Sequence, residues 1–319
     1  MANLTLRQLR YFAALARHGH FGRAAAACAV SQPALSVQIR EMESALGAPL
    51  FERAPRQLRL TGFGAAVAER VDGILSAVDE LGDLARVARG GLAGRLRIGV
   101  IPTIAPYFLP AILEALGRSD PGLDIDVRET LTSRLLGDLA AGRIDTAILA
   151  LPISEPGLTE TPLFREDFVL VRPAAEASEP VPDAEALRSR RLLLLEEGHC
   201  FRNQALAFCR IGPNAQPGLD AASLSTLVQM VAAGLGVTLI PEMAVPVETR
   251  SAAVCIARLA APAPSRAVGL VWRAASPLAG ELDRIAGVLR AASSALRATS
   301  AAADRDVACR AAERERPSR

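Results

Sequence analysis

Apolar residues recur at helical spacing in three short segments near the start of the chain, within residues 5–47. Gly19 ends the first segment and Gly47 ends the third, because glycine readily adopts the left-handed conformation that closes a helix. Before the third segment, Ser31 is suited to cap a helix N-terminus, and Pro33 fits its first turn. One stripe of this third helix should be buried: Leu35, Ile39, Met42 and Leu46. The pattern predicts three closely spaced helices.

The exposed side of the third predicted helix carries mainly short polar and basic side chains. These candidate contact residues are Ser31, Gln32, Pro33, Ser36 and Arg40. A helix of this kind that packs across another short helix is typical of a helix-turn-helix, whose second helix enters the major groove of DNA. Arg53 and Arg56 follow in a segment that predicts a β-hairpin wing along the phosphate backbone. An ordinary three-helix core with solvated arginines is also consistent with these residues taken alone.

Positive charge is concentrated in the same part of the chain. Residues 1–62 contain eight arginines and three glutamates, a net charge of +5, although the whole chain carries only +2. The rest of the chain is therefore slightly acidic. A small basic domain beside a nearly neutral one favours a phosphate-binding head attached to a separate sensing body.

Residues 62–89 form the longest helical pattern in the first third of the chain. Their apolar positions recur at alternating steps of four and three: Val67, Val71, Ile74, Val78, Leu81, Ala85 and Ala88. Such a heptad seam favours a two-helix dimer contact. The alternative is a single amphipathic helix that packs on its own domain. The run GGLAG at 90–94 should end the helix and act as a hinge.

Beyond the hinge, strand and helix patterns alternate along residues 96–272, and a last long helix is predicted from Pro277. This alternation favours βαβ units, a parallel sheet with helices on both faces, and two α/β lobes with a cleft between them. The predicted fold class is therefore multidomain α+β. The division we predict is a winged helix-turn-helix at 1–61, a linker and dimerisation helix at 62–89, a hinge at 90–94, an α/β sensing domain at 95–299 and a disordered tail at 300–319.

Neither a signal-like start nor an apolar run of the ~18 residues that a membrane span needs is visible in the sequence. We therefore expect a cytoplasmic protein without a membrane contact. Cellular thiols keep cytoplasmic cysteines reduced, so the five cysteines should be free, catalytic or sensing rather than a structural framework. Three of them should have no redox role, because they fall on a buried helix side, in a short apolar strand and in the tail: Cys28, Cys255 and Cys309.

Cys200 and Cys209 lie nine positions apart in the segment HCFRNQALAFC. Nine residues of α-helix turn through ~900° and rise ~13 Å, which places the two thiols on opposite faces. A disulfide needs Cα atoms within ~7 Å, so joining them would force part of the helix to unwind. His199, Arg202 and a helix N-terminus should favour the thiolate of Cys200. The alternatives are two small core residues with His199 capping a turn, or a zinc site, for which no CxxC pair is present.

Several stretches resemble a known family. Residues 6–53, LRQLRYFAALARHGHFGRAAAACAVSQPALSVQIREMESALGAPLFER, resemble the winged helix-turn-helix of LysR-type transcriptional regulators. Residues 198–209, GHCFRNQALAFC, are similar to the sensing segment of the OxyR branch, which responds to hydrogen peroxide. With the supporting stretches IGVIPTIAPYFLP, SLSTLVQMVAAGLGVTLIP and GLVWR, the resemblance covers about residues 4–295. It implies a regulatory domain of the periplasmic-binding-protein type.

The resemblance also implies roles for residues in the regulatory domain. Cys200 would be the peroxidatic thiol that becomes a sulfenic acid, and Cys209 the more buried resolving thiol that condenses with it. The peroxide pocket would be formed by Thr103, Thr132, His199, Arg202 and Arg266. A threonine such as Thr103 at a strand-to-helix junction has an alternative role as a helix N-cap. Two departures from the family pattern put peroxide sensitivity in doubt: Asn203 where aspartate is common, and Gly218 with Leu219 where some members have histidine.

The same resemblance implies several partners for the protein. It would bind double-stranded operator DNA, respond to hydrogen peroxide as its signal, associate with itself as a dimer of dimers, contact RNA polymerase, and be reduced by a thiol reductant of the glutaredoxin or thioredoxin kind. The resemblance also implies activation of oxidative-stress genes. We expect no cofactor, no metal because no CxxC pair or fourth close ligand is present, and no enzymatic turnover because each switch would consume one peroxide. Two other functions stay open. A LysR-type regulator could bind a small organic effector in the cleft without sensing peroxide, and a thiol peroxidase would consume peroxide continuously.

Overall fold

The chain is described by a computed structural model that covers residues 4–54, 57–87, 94–209 and 220–295. Its contacts divide the chain into two compact units. The N-terminal unit comprises Met1–Arg89 and Ala140–Arg143, and the C-terminal unit comprises Gly90–Leu139 and Ile144–Arg319. Five features expected from the sequence lie outside the described residues: Ala88 of the predicted seam, most of the hinge, the tail, Arg56, and the Gly218–Leu219 pair.

The N-terminal unit begins with the three predicted helices: α1 at Leu6–His18, α2 at Phe21–Ala27 and α3 at Gln32–Leu46. Their ends follow local capping chemistry. Thr5 and Gln8 form a capping box at the start of α1, and Gly19 ends it with a positive φ of 59°. At the start of α3 the Ser31 hydroxyl accepts a hydrogen bond from the Ala34 amide. The three-helix prediction is confirmed, and residues such as Phe12, Leu35, Ile39 and Met42 are buried in its core.

A β-hairpin follows α3, as the sequence predicts for a wing. Strand β1 at Phe51–Ala54 pairs antiparallel with β2 at Gln57–Leu60. Helix α4 then runs over Gly62–Val87. Its predicted seam is divided, because Val71 is buried in the core of its own unit whereas Ile74 is 46% and Leu81 65% exposed. The exposed part of the stripe is therefore the part that remains available for a second helix.

The C-terminal unit contains a mixed sheet with the strand order β10-β6-β11-β5-β3-β4, and β9 pairs with β6. The strands are β3 at Gly94–Val100, β4 at Leu123–Glu129, β5 at Thr146–Leu151, β6 at Leu158–Pro173, β9 at Thr238–Pro241, β10 at Val254–Arg258 and β11 at Ser265–Arg273. A short parallel pair is formed separately by β7 at Leu194–Leu195 and β8 at Asp220–Ala221.

The prediction of a parallel sheet is wrong for part of this sheet. Only β4, β3 and β5 run parallel, and β11 runs antiparallel to both β5 and β6. The reason is that β6 follows β5 after a short turn without a crossover helix, and β11 inserts between them. The spacing of apolar residues indicates which face of a strand is buried. It does not indicate whether neighbouring strands run parallel or antiparallel, so the strand directions could not be predicted from it.

The helices of this unit are α5 at Ala105–Ser119, α6 at Thr132–Ala140, α7 at Ala184–Ser189, α8 at Cys200–Phe208, α9 at Leu224–Ala232, α10 at Val245–Glu248 and α11 at 279–295, with 3₁₀ turns at Ala174–Glu176 and Glu242–Ala244. Across the described ranges, the helices lack the combination of length and apolar character that a membrane span requires.

Two apolar cores fill the C-terminal unit, which confirms the two-lobed prediction. The first core packs α5, α6 and α11 against β3 and β5, and the second packs α8 and α9 against β6 and β9. Strand β6 belongs to both, because Leu163 is buried in the first core and Phe168 in the second. The two cores meet near Cys200, Phe201 and Met243, because Cys200 packs against the first core, Phe201 belongs to the second, and Met243 packs against both.

Candidate functional site

Helix α8 carries the two cysteines at its two ends. Cys200 is its first residue, Cys209 is its C-cap, and both are free thiols. At a rise of ~1.5 Å per residue, nine residues separate them by ~13 Å along the axis, which exceeds the ~7 Å between Cα atoms that a disulfide allows. This geometry is that of the dithiol form, and a bond between them requires the helix to open.

The two thiols have different surroundings. Cys209 is 0% exposed and belongs to the second core, whereas Cys200 is half-buried and packs against the first. Burial raises the pKa of the Cys209 thiol, and the nearby charge of Arg188 acts in the opposite direction. Cys209 is therefore protonated at neutral pH while the helix is intact.

A tight turn brings the start of α8 against the loop before α6. Gly198 has a φ of 97°, and a Cβ atom on it would lie 2.9 Å from Leu131 Cδ1, so glycine is needed here. His199 follows at the N-cap position without a side-chain capping bond. Burial lowers the pKa of His199, and the carboxylate of Glu196 opposes this effect. The imidazole is therefore mainly neutral near pH 7 and can accept a hydrogen bond or a proton.

Arg202 was expected in the pocket, and the structure gives its guanidinium two other partners. Its Nη1 donates to the Leu195 carbonyl oxygen at 2.7 Å and lies 2.9 Å from Asp220 Oδ1. These contacts fasten the first turn of α8 to β7 and β8. Asp220 was not identified from the sequence, because its role depends on a partner that the chain reaches only after folding.

Arg266 lies at the centre of a buried polar network. Its Nη1 donates to Thr103 Oγ1 at 2.8 Å, and its Nη2 donates to the Thr103 carbonyl oxygen at 2.9 Å. The guanidinium carbon also lies 5.9 Å from the ring centre of Phe201, the neighbour of Cys200, within the range of a cation–π contact. Two predicted pocket residues, Thr103 and Arg266, are therefore in direct contact, and a positive charge is held beside the first turn of α8.

Thr103 does not cap α5, whose N-cap residue is Ile104. Because the Thr103 hydroxyl oxygen accepts from Arg266, its own proton is available for another acceptor. The alternative capping role is therefore not seen, and the hydroxyl is arranged as a donor beside the cleft that it lines.

Glu166 completes the network and was missed by sequence reasoning. Its Oε1 accepts from Arg266 Nε at 2.7 Å, and its Oε2 accepts from the Met243 amide at 3.2 Å. In the sequence Glu166 stands in the charged run Arg165–Asp167, which reads as a solvated end of a strand. No local signal distinguishes it, because its partner Arg266 lies 100 residues further along the chain.

Two further polar atoms in this part of the fold have no hydrogen-bond partner among the described residues. Thr132 Oγ1, on the first residue of α6, is buried and unpaired, and so is Gln204 Oε1 in α8. Gln204 follows Cys200 by four positions and so lies on the same face of α8. Buried polar atoms of this kind are normally satisfied, so both are candidates for contact with a small polar molecule. Gln204 was not identified from the sequence.

A cleft of about 560 Å³ is lined by Thr103 of the Arg266 network and by Leu131 and His199. The side chains that give it polar character include Thr103, Tyr107, Glu129, Arg134, His199 and Glu248. Two of these lining residues are joined by a buried hydrogen bond, which the Tyr107 hydroxyl donates to Glu248 Oε1 at 2.5 Å. Burial and the neighbouring Glu248 carboxylate raise the pKa of Tyr107, so it remains a protonated donor. The cleft reaches α8 at His199, the residue immediately before Cys200.

No group of three or more metal-binding side chains occurs in the part of the chain that the structure describes. Two of the other cysteines have ordinary surroundings. Cys28 caps the C-terminus of α2, and the Cys255 thiol in β10 contacts the Pro173 carbonyl oxygen at 3.4 Å. Cys309 lies outside the described residues.

The predicted DNA-contact residues of α3 remain accessible. Gln32, Pro33 and Arg40 are exposed and Ser36 is half-buried, so this face of the helix is free within its own unit. Nothing is described of the Arg53 side chain, although its backbone forms part of β1.

Comparison with protein families agrees with both units. Residues 6–65 match the family described as "Bacterial regulatory helix-turn-helix protein, lysR family". Residues 89–294 match the "LysR substrate binding domain". The chain belongs to the LysR family of bacterial transcription regulators.

Similar proteins place it more narrowly within that family. A probable hydrogen peroxide-inducible genes activator of Streptomyces viridosporus is 46% identical, over 90% of this chain and 94% of that protein. The DNA-binding transcriptional dual regulator OxyR of Escherichia coli K12 is 41% identical, over 90% of this chain and 95% of OxyR. A full-length OxyR mutant from Pseudomonas aeruginosa has a similar structure, with a TM-score of 0.73 and 36% sequence identity. The match covers 90% of this chain and 95% of that protein. A peroxide-bound OxyR mutant of Corynebacterium glutamicum is also similar in structure, with a TM-score of 0.65 and 36% sequence identity. The match covers 94% of this chain and 96% of that protein.

Proposed function

We propose that this LysR-type protein is a hydrogen peroxide-responsive transcription regulator whose signal is a reversible disulfide between Cys200 and Cys209. The observation that carries this proposal is the placement of two free thiols at opposite ends of one helix, with the half-buried one next to the Arg266 network. The relatives named as peroxide-inducible gene activators support the same signal. Two thiols that cannot bond in the intact helix give a chemical event with a necessary conformational consequence.

The proposed chemistry has two steps. The Cys200 thiolate attacks one peroxide oxygen, the O–O bond breaks, and the leaving hydroxide takes a proton to become water, so that Cys200 becomes a sulfenic acid. Once α8 opens, the Cys209 thiol loses its proton and attacks the Cys200 sulfur; the S–O bond breaks, and the leaving hydroxide takes that proton to become a second water. Two thiols and one peroxide thus give one disulfide and two waters.

The residues near Cys200 would assist the first step. Arg266 and the Thr103 hydroxyl place positive charge and a hydrogen-bond donor beside the start of α8. A neutral His199 would accept a hydrogen bond from an approaching peroxide and so help to orient it. The unpaired Thr132 Oγ1 and Gln204 Oε1 provide further polar contacts for a small molecule of this kind. Arg202 acts in a different way, by anchoring α8 through Leu195 and Asp220.

Opening α8 would remove Cys209 from the second core and so repack that lobe. The repacked lobe would change how the regulatory domains associate and thereby how the helix-turn-helix units are presented to DNA. We propose association through the exposed Ile74 and Leu81 of α4, and a dimer of dimers on two neighbouring operator sites. The face of α3 with Gln32 and Arg40 would enter the major groove.

The remaining partners follow from this function. A protein that activates oxidative-stress genes on double-stranded DNA would work in the cytoplasm and would contact RNA polymerase. A dithiol reductant of the glutaredoxin or thioredoxin kind would restore the two thiols. Because one peroxide is consumed for each switch, we propose a regulator and not an enzyme.

The deciding experiment is non-reducing peptide mapping by mass spectrometry after one equivalent of peroxide is added to the reduced protein. We expect a peptide that joins Cys200 to Cys209 within seconds, its absence in Cys200→Ser, and no effect of Cys255→Ser, which removes a half-buried thiol elsewhere. If both thiols of the unmodified protein stay reduced at this dose, peroxide sensing is excluded.

A second candidate function is control by a small organic effector. The observation that favours it is the 560 Å³ cleft, which is larger than peroxide requires and is lined by Arg134, Ser223 and Ser225. Such a regulator would keep its response after Cys200→Ser. Steady consumption of peroxide in the presence of a reductant would instead indicate a thiol peroxidase.

A further inference from the structure

The C-terminal end of α8 is held by a residue from a different helix. Arg188, in α7, donates a hydrogen bond from Nε to the carbonyl oxygen of Cys209 at 3.0 Å. The preceding residue, Leu187, is buried in the second core and fixes the backbone from which Arg188 extends. The last carbonyls of a helix have no partner within the helix, so this contact satisfies one of them.

The positive charge of Arg188 has two further electrostatic effects at this end of α8. A cation near a helix C-terminus is stabilised by the helix dipole. Its charge also opposes the effect of burial on the Cys209 thiol. Both effects depend on the helical form, because they require the Cys209 carbonyl to keep its place at the end of α8.

The two ends of α8 are thus fastened by two arginines. Arg202 holds the first turn through the Leu195 carbonyl and Asp220, and Arg188 holds the last residue through the Cys209 carbonyl. A disulfide requires the ~13 Å separation of the two cysteines along the helix to fall to ~7 Å, so at least one of these two sets of arginine contacts must break. The Arg188 contact acts directly on the backbone of the resolving cysteine.

We propose that Arg188 is a positioning residue for the resolving thiol, which holds α8 in its dithiol form through the Cys209 carbonyl and so sets how readily the switch oxidises. This inference rests on the proposed Cys200–Cys209 disulfide. Its consequence is that loss of Arg188 destabilises the dithiol form relative to the disulfide and shifts the redox equilibrium toward oxidation.

The test is a redox titration of full-length protein in glutathione buffers, with the Cys200–Cys209 disulfide quantified by mass spectrometry. For Arg188→Ala we expect the equilibrium constant for oxidation to rise about fivefold, the effect of one hydrogen bond in a partly exposed setting. Arg188→Lys, which keeps a donor and the charge, should show a smaller rise. Arg191→Ala is the matched control, since Arg191 is exposed and three residues away.

A second readout separates positioning from general destabilisation. Sulfenic acid formation at Cys200, followed with a trapping reagent in a Cys209→Ser background, should proceed at the same rate with and without Arg188→Ala. Hydrogen exchange of the reduced protein should become faster at the amides of residues 206–209 in Arg188→Ala and not in Arg191→Ala.

The outcomes are distinguishable. If the unmodified protein forms no Cys200–Cys209 disulfide, the proposed function fails and this inference fails with it. If the disulfide forms but Arg188→Ala and Arg191→Ala have equal equilibrium constants, or Arg188→Ala favours the dithiol, the positioning role of Arg188 is overturned while the proposed function stands.

Discussion

Arg266 and Glu166 form an ion pair at 2.7 Å in which the side chains are 0% and 3% exposed. A buried ion pair is stable only when its remaining polar groups are also satisfied. Here Thr103 accepts from the arginine, and the Met243 amide donates to the carboxylate. The pair links β6 to β11 where the two cores of the regulatory unit meet, and it fixes the charge that lies over Phe201.

Removing one partner of this pair should therefore be costly. We expect Glu166→Ala to lower the free energy of unfolding by about 3–5 kcal/mol, because it leaves the Arg266 charge buried without its carboxylate. Urea denaturation of the reduced protein measures this change. The matched control is Asp126→Ala, whose partner Arg95 is 61% exposed and which should lose only about 0–1 kcal/mol. Equal losses in the two variants would contradict the role assigned to Glu166.

The Thr103 hydroxyl gives a second prediction. Thr103→Val keeps the shape of the side chain and removes the oxygen that accepts from Arg266. We expect the rate of Cys200 oxidation by peroxide to fall about 10- to 100-fold, the range for a lost hydrogen bond to a charged group. Stopped-flow measurement of the oxidation rate checks this. Thr103→Ser retains the hydroxyl and should remain within a few-fold of the unmodified protein; similar rates in Val and Ser variants would show that the hydroxyl has no part in the reaction.

The features that were predictable from the sequence are those with local signals. The helix-turn-helix could be predicted because Ser31, Gly19 and Gly47 lie at the ends of the helices that they cap. The separation of the two cysteines could be predicted because helical geometry fixes the distance between residues nine positions apart on one helix.

The features that were not predictable depend on contacts between distant segments. Strand β6 spans Leu158–Pro173 without a break, although the charged residues 165–167 interrupt its apolar pattern in the sequence. Glu166 in this strand is buried because β11, which lies near the end of the chain, supplies its partner Arg266. The partner of Arg202 is likewise Asp220, which the chain brings into place only when β8 pairs with β7.

His199 gives a pH-dependent prediction. Burial lowers its pKa below the ordinary value of 6.5, so below about pH 6.5 the unfolded chain binds a proton at this residue more readily than the folded protein does. Stability contributed by the neutral imidazole is therefore present above pH 6.5 and is lost as the pH falls toward the lower folded-state pKa. We expect the unmodified protein to lose more stability than His199→Gln between pH 7.5 and 5.5. Urea midpoints at both pH values test this, and a constant difference between the two proteins would refute it.

The exposed stripe of α4 gives the last prediction. Ile74 and Leu81 are 46% and 65% exposed, and large apolar side chains on one helix face are stabilised when a second helix covers them. Leu81→Glu would place a charge in that contact, and we expect it to shift the protein from dimer or tetramer toward monomer. Sedimentation velocity at several concentrations measures the shift. Ala65→Glu adds the same charge on the opposite face of α4, where the residue is also exposed, and should leave the assembly unchanged. If both variants keep the assembly of the unmodified protein, α4 does not form the subunit contact, and another surface of the chain must do so.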